Sequence, residues 1–235
     1  NKTKVKYKKN IITKKVIFLD SIAKKNYLEI LKTFFIALVF LALGSFIGVN
    51  FIPYSIRYML NIAFFILILV SAFTRRGGFV PNKVSMNIYA FILGILTGST
   101  YVYYFYNLGA GTFISIVIGV VLIFGISYLV ALNQSEETIF RLGPMITIGI
   151  LVLLILEFIN IFFFKFGTFD LIISAIGIVI YSVYALVIMK SIQSRCKYSI
   201  LSESEIVTFS FSIFISFLNL LVDLLRFVSI LKNDN

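Results

Sequence analysis

Three ionisable side chains, Glu157, Asp223 and Arg226, stand inside long apolar runs of this sequence. Two carboxylates and a guanidinium at similar depth could line a cation-attracting path, because carboxylate oxygens are hard donors suited to Ca²⁺ or Mg²⁺. A Ca²⁺ site takes about six or more oxygens, so two carboxylates would need carbonyls or water to complete it. The same groups could instead form a structural ion pair that locks one helix to its neighbours, with Arg226 reaching toward the interface along its apolar stem. Asp223 and Arg226 are three residues apart, which predicts an ion pair along one helical face. Asn160 and Asn219, a turn from Glu157 and Asp223, extend the candidate network. An isolated charge deep in a bilayer costs at least about 2.5 to 3.5 kcal/mol, so all three must face protein or a water-filled cavity.

The elements that would position them are membrane spans. The chain has 235 residues, 60% of them hydrophobic and 13% charged, with a mean hydropathy of +1.03. Seven apolar stretches are long enough to cross a bilayer: Thr33 to Phe51, Tyr58 to Phe73, Val84 to Tyr106, Phe113 to Leu132, Met145 to Phe164, Leu171 to Met189 and Ile206 to Leu231. A spanning helix needs about 17 to 25 such residues, so the second is slightly short and the last has length to spare for tilt. The expected class is an all-α membrane protein of seven helices. Residues 1–32 form a basic tail and 33–235 one transmembrane domain, with no room left for a soluble catalytic domain. The first stretch is too long for a signal-peptide core and is expected to be retained.

The net charge of +11 is unevenly placed. Ten lysines precede the first span, against Asp20 and Glu29 alone. With alternate loops assigned to alternate sides, 17 of the 21 basic residues fall on the side of the tail. The positive-inside rule then makes the N-terminus cytoplasmic, and seven spans put Asn235 outside. The tail reads as a topology signal attracted to anionic headgroups, at about 1 kcal/mol per basic residue near the surface. Its sparse aromatic interleaving, Tyr7 and Phe18, argues against nucleic acid. Low-complexity sequence is confined to this tail, which is expected to be mobile up to about Lys15.

Histidine is absent, which removes imidazole metal ligands, a Ser-His-Asp triad and a histidine pH switch from this chain. Cys196 is the only cysteine; it leaves no disulfide framework or cysteine metal cluster and reads as a reduced surface thiol in a cytoplasmic loop. No nucleophile-base pair is visible, so an enzyme is not expected, nor a resident cofactor. Pro53, Pro81 and Pro144 each fall at an expected span boundary, where a missing amide costs least. Tyr101, Tyr103, Tyr104 and Tyr106 substitute for the absent tryptophan in an interfacial belt. Gly94 and Gly98 lie on one helical face and would let a neighbouring backbone approach closely. Asn61 and Asn87 read as individual helix-helix hydrogen bonds.

The run Ile213-Phe214-Ile215-Ser216-Phe217-Leu218-Asn219-Leu220, followed by Leu224-Leu225-Arg226-Phe227, resembles the final helix of the transmembrane Bax inhibitor motif family. Tyr181-Ser182-Val183-Tyr184 resembles the lead-in to that family's sixth helix. Tyr89-Ala90-Phe91 with Gly94 and Gly98 is similar to its third, and Phe158-Ile159-Asn160-Ile161-Phe162 to its fifth. The order and spacing hold from about Tyr27 to the end, and suggest a divergent bacterial member in the plasma membrane. The resemblance implies seven helices with the last surrounded by the others, and a pH-sensitive Ca²⁺ leak. Some bacterial relatives resemble modulators of a membrane-bound protease, which makes a membrane-protein partner the second expectation. The family's sensor is an aspartate pair in the sixth and seventh helices; the matching positions here are Ile188 and Ser216. With both carboxylates missing, any remaining acidic site is displaced outward to Asp223 and Glu157. Asp223 lies seven residues beyond Ser216, about 10 Å along the helix at ~1.5 Å per residue.

Overall fold

The computed structural model describes the backbone of residues 2–53, 55, 56, 59, 82–159, 167–197 and 199–233, with side chains from residue 21 onward apart from 140, 158, 159, 167, 168 and 233. Among the described residues there are six long helices and no strand. They are α1 (Lys2–Phe51), α2 (Lys83–Leu108), α3 (Ala110–Asn133), α4 (Glu136–Ile159), α5 (Gly167–Cys196) and α6 (Glu203–Asn233). Each contains a segment long and apolar enough to cross a membrane, and together they account for six of the seven expected spans. Apart from Met59, the expected span from Tyr58 to Phe73 lies outside the described residues, as do Asn61, Arg75, Arg76 and Pro81.

Local chemistry sets the helix ends. No proline or glycine interrupts the sequence between Lys2 and Gly44, and α1 is helical from Lys2, so the lysine-rich tail continues the first span rather than leaving it as a loose segment. Asn82 caps α2 by accepting from the Ser85 amide at 2.9 Å, while the Asn82 amide donates to Ser85 Oγ at 3.3 Å. A similar reciprocal cap starts α6: the Ser202 amide donates to Glu205 Oε2 at 2.9 Å, and the Glu205 amide to Ser202 Oγ at 3.3 Å. The turn between α2 and α3 consists of Gly109 alone, whose φ of 83° lies in the region only glycine enters cheaply. Pro144 corrects the boundary reading. It lies inside α4, which starts two turns earlier because the Ser135 hydroxyl accepts from the Thr138 amide and the polar residues Glu136, Glu137 and Arg141 extend the helix ahead of the apolar run.

Packing centres on α6, which touches α1, α2, α3 and α5. Its apolar segment is 56% buried, against at most 33% in the other helices, so the last helix is the surrounded one. Phe214 is fully enclosed, and Phe217 stacks edge-on against Phe34 of α1. The closest helix pair is α1 with α2. Gly44 and Gly48 face α2 while Gly94 and Gly98 face α1, and a Cβ at Gly98 would fall 2.8 Å from Ser45 Cα. The expected close approach at Gly94 and Gly98 is therefore present, and the partner is a second small-residue stripe. In contrast, α4 packs mainly on α5.

One end of the bundle is tied by polar groups. Asn26 is 2% exposed; its amide donates to the carbonyls of Cys196 at 3.1 Å and Ser199 at 2.8 Å, and its oxygen accepts from the Leu201 amide at 3.1 Å. Cys196 is correspondingly fully buried at the end of α5. It is not the surface thiol expected from a loop position, because the clamp from α1 covers the connection between α5 and α6. Lys83 and Glu29 pair at 3.1 Å, and Arg195 and Glu205 at 2.7 Å.

Candidate functional site

The opposite end of the bundle gathers the charged residues singled out by sequence. Arg226, on α6, reaches across to α4 and pairs with Glu157, Nη1 to Oε1 at 3.4 Å, with about a quarter of each side chain exposed. The expected pair within α6, Asp223 with Arg226, is not the one that forms among the described residues. A three-residue step puts both on one side of the helix, but the long arginine stem carries its head out to α4 while the short aspartate remains inside. Asp223 is 2% exposed, and its Oδ2 has no hydrogen-bond partner among the described residues. The carboxyl fits the space left by Gly177 of α5, where an added Cβ would sit 2.8 Å from Asp223 Cγ.

The Glu157 charge reaches Asp223, and the Arg226 charge reaches both carboxylates. Three residues not singled out as site members join them. Asp170, in the first turn of α5, adds a third carboxylate whose charge reaches Glu157 and Arg226. It stands one residue before the apolar run that starts at Leu171, where spacing alone does not set it apart from other charges at a span end. Tyr104 of α2 turns inward beside the Arg226 guanidinium and is 9% exposed. The tyrosine cluster thus divides: Tyr106 is 80% exposed and fits the interfacial belt, whereas Tyr104 belongs to the site. Tyr181 of α5 is buried within electrostatic reach of both Glu157 and Asp223.

The remaining candidates separate from this group. The Asn219 amide donates to the Ile215 carbonyl of its own helix at 3.0 Å and does not extend the carboxylate network. The reason is local: a half-buried asparagine can satisfy its donor on the preceding turn without a partner from another helix. Asn160 lies outside the described residues. Ile188 and Ser216 are both buried; the Ser216 hydroxyl lies 3.5 Å from the Tyr181 carbonyl, so that pair of positions is occupied by a methyl-lined side chain and a small hydroxyl.

Above this cluster, α6 is fastened to the end of α2. The Asn107 amide donates to Ser229 Oγ at 2.7 Å, and the Lys232 ammonium donates to the carbonyls of Asn107 at 3.0 Å and Leu108 at 3.4 Å. A cation on the last carbonyls of a helix suits the negative end of its dipole. Among the described residues, no three acidic or sulfur side chains converge tightly enough to hold a metal by themselves. The arrangement can attract a cation at a desolvated carboxylate and balance it against a fixed guanidinium.

The family model described as Inhibitor of apoptosis-promoting Bax1 matches residues 24–234, nearly the whole chain. The chain belongs to that family.

Proposed function

We propose that this member of the Bax inhibitor family is a multi-pass protein of a cell membrane that lets cations, Ca²⁺ foremost, leak down a gradient. The observation that carries the reading is the Asp223 carboxylate, which sits on the most enclosed of the described helices with an oxygen that no group among the described residues satisfies. A buried acceptor without a partner costs about 1 to 3 kcal/mol, and more when charged. A passing cation would offset that cost. Glu157, Asp170 and Asp223 supply attraction, and Arg226 limits how tightly the cation is held. The orientation proposed is cytoplasmic at the lysine-rich end and external at the Lys232 end, as the distribution of basic residues requires.

Ca²⁺ flux into liposomes containing the purified chain tests this, with empty liposomes and Asp223→Asn alongside. The expected result is flux above the empty control that falls in the variant. An ionised carboxylate attracts the cation and a protonated one does not, so flux compared at about pH 6 and pH 8, in the parent chain and in the variant, reads whether this carboxylate makes it pH-sensitive. Unchanged flux in Asp223→Asn would overturn the assignment of the site.

A second reading is favoured by Ile188 and Ser216, where the family's paired carboxylates are absent. In it the chain conducts nothing and regulates another membrane protein, such as a quality-control protease, through the basic extension of α1. Absence of flux, together with a stoichiometric partner lost on deleting residues before Lys32, is the outcome that selects it.

A further inference from the structure

At the end of the bundle away from the acidic cluster, α4 and α6 are separated by a cleft of about 600 Å³. Its walls come from the first turns of α4 around Gly143 and Pro144, the last turns of α5 and Phe209 of α6, and they are mostly apolar. Two features explain why it stays open. Gly143 presents no side chain, and a Cβ there would meet nothing within 4 Å. Pro144 lies inside the helix and removes one backbone hydrogen bond. At the far end the same two helices are linked by the ion pair of Arg226 with Glu157. They are thus linked at one end and separated by the cleft at the other.

The charges at the mouth are mixed: Glu136, Lys190, Arg195 and Glu205 all line it. They are not equally engaged. Glu205 accepts from Arg195 and from both the amide and hydroxyl of Ser202. Lys190 gives one hydrogen bond, 3.1 Å to the Ala131 carbonyl; an ammonium has three donors, so two remain. Glu136, in the first turn of α4, makes none of the ion pairs found among the described residues. Among the described residues the mouth thus offers an available cationic donor and an available carboxylate above a mostly apolar wall.

The geometry points to a binding site for one phospholipid with a zwitterionic, amine-bearing headgroup. Its phosphate meets Lys190, its ammonium meets Glu136, and an acyl chain runs along Phe209 and past Gly143. A volume of this order falls within the ~300 to 1,000 Å³ of sites that enclose a small-molecule ligand. A purely anionic headgroup would satisfy Lys190 but face Glu136, and a detergent-like chain without phosphate would leave both charges unmatched. The site is remote from Asp223, so it stands whether or not the chain conducts.

The test is native mass spectrometry of the purified full chain in detergent, after incubation with equal amounts of phosphatidylethanolamine and phosphatidylglycerol. The expected result is one retained phosphatidylethanolamine, with retention of this lipid at least tenfold above phosphatidylglycerol. Gly143→Leu fills the cleft from a position with open space and removes retention while the helical content is unchanged. Ser194→Leu, from the facing helix, does the same should the first variant fold poorly. Lys190→Gln lowers retention and Lys190→Arg restores it. Retention unchanged by both filling variants, or preference for phosphatidylglycerol, would overturn the proposal.

Discussion

Asn26 and Asp223 are both 2% exposed and illustrate opposite treatments of a buried polar group. Asn26 has its donors and its acceptor satisfied by the connection between α5 and α6. Replacing it with alanine leaves those backbone groups unpaired at about 1 to 3 kcal/mol, more than one of them affected. Cys196 lies directly under the clamp, and its thiol can report the loss. Maleimide labelling of the folded chain is expected to be slow, and about tenfold to a hundredfold faster in Asn26→Ala, as about 1.4 kcal/mol of easier opening corresponds to tenfold. An unchanged labelling rate would show that the clamp does not hold this end closed. Asp223 depends on the missing side chain of Gly177, so Gly177→Ala should destabilise by about 1 to 3 kcal/mol through overpacking. The same change in an Asp223→Ala background should cost little, and a double-mutant cycle by thermal unfolding in detergent should return a coupling of about 1 kcal/mol or more. The charged residues were legible in the sequence because a charge inside an apolar run is conspicuous. Asn26, Gly177 and Tyr104 were not, since their importance lies in which helix faces them, and spacing along one helix says nothing about its neighbour.

At the scale of helices, the α1 and α2 contact depends on small residues from both sides. Leucine at Gly94 would meet the Leu41 and Ser45 backbone, with the Ser45 nitrogen 2.9 Å from the Cβ alone. Gly94→Leu should therefore lower unfolding stability in detergent by about 3 kcal/mol or prevent folding, since backbone cannot move aside as a side chain can. Gly119→Leu, where a Cβ meets nothing within 4 Å, is the matched control and should be neutral. The helix ends carry a weaker, pH-dependent contribution. Glu29 and Glu205 lie before the apolar runs of their helices. A hydrogen bond from Lys83 holds the Glu29 carboxyl below its ordinary value, and the Ser202 amide, with Arg195, does so for Glu205. A lowered folded-state pKa means that the stabilisation is present above the unfolded-state value of about 4.3 and is lost as pH falls through the lower folded values. Both pairs are partly exposed, so the loss should be small and should shrink in high salt. Acid unfolding midpoints of Glu29→Gln and Glu205→Gln against the parent chain provide the check. Hydropathy bounded α2, α3 and α6 to within a few residues at both ends, whereas α1 begins at Lys2 rather than Thr33 and α5 runs past Met189 to Cys196. The start of α4 was not bounded, because a proline tolerated inside a helix looks in sequence like a proline that ends one.

For the whole molecule, the separation of roles between the two ends follows from the charge pattern and the packing together. The family pattern anticipated a surrounded last helix, and the burial of α6 agrees with it. The proposed sidedness predicts that a cysteine introduced near Asn233, in a Cys196→Ser background, reacts with an impermeant thiol reagent added outside intact cells. One introduced at Lys24 should react only after the membrane is opened. The reverse pattern would invert the orientation and place the acidic cluster toward the cytoplasm. The cleft between α4 and α6 was not visible in the sequence, because an apolar face exposed to a cleft and one packed on a neighbour have the same composition.

The single glycine between α2 and α3 also has a consequence for how the molecule tolerates insertion. With only Gly109 connecting Leu108 to Ala110, the two helices have no slack between them, and the rotation of one follows that of the other. A residue inserted on either side of Gly109 would add about 100° of helical phase to everything that follows, on an α-helix of 3.6 residues per turn. The shortest connection among the described helices therefore fixes the rotational register of those it joins.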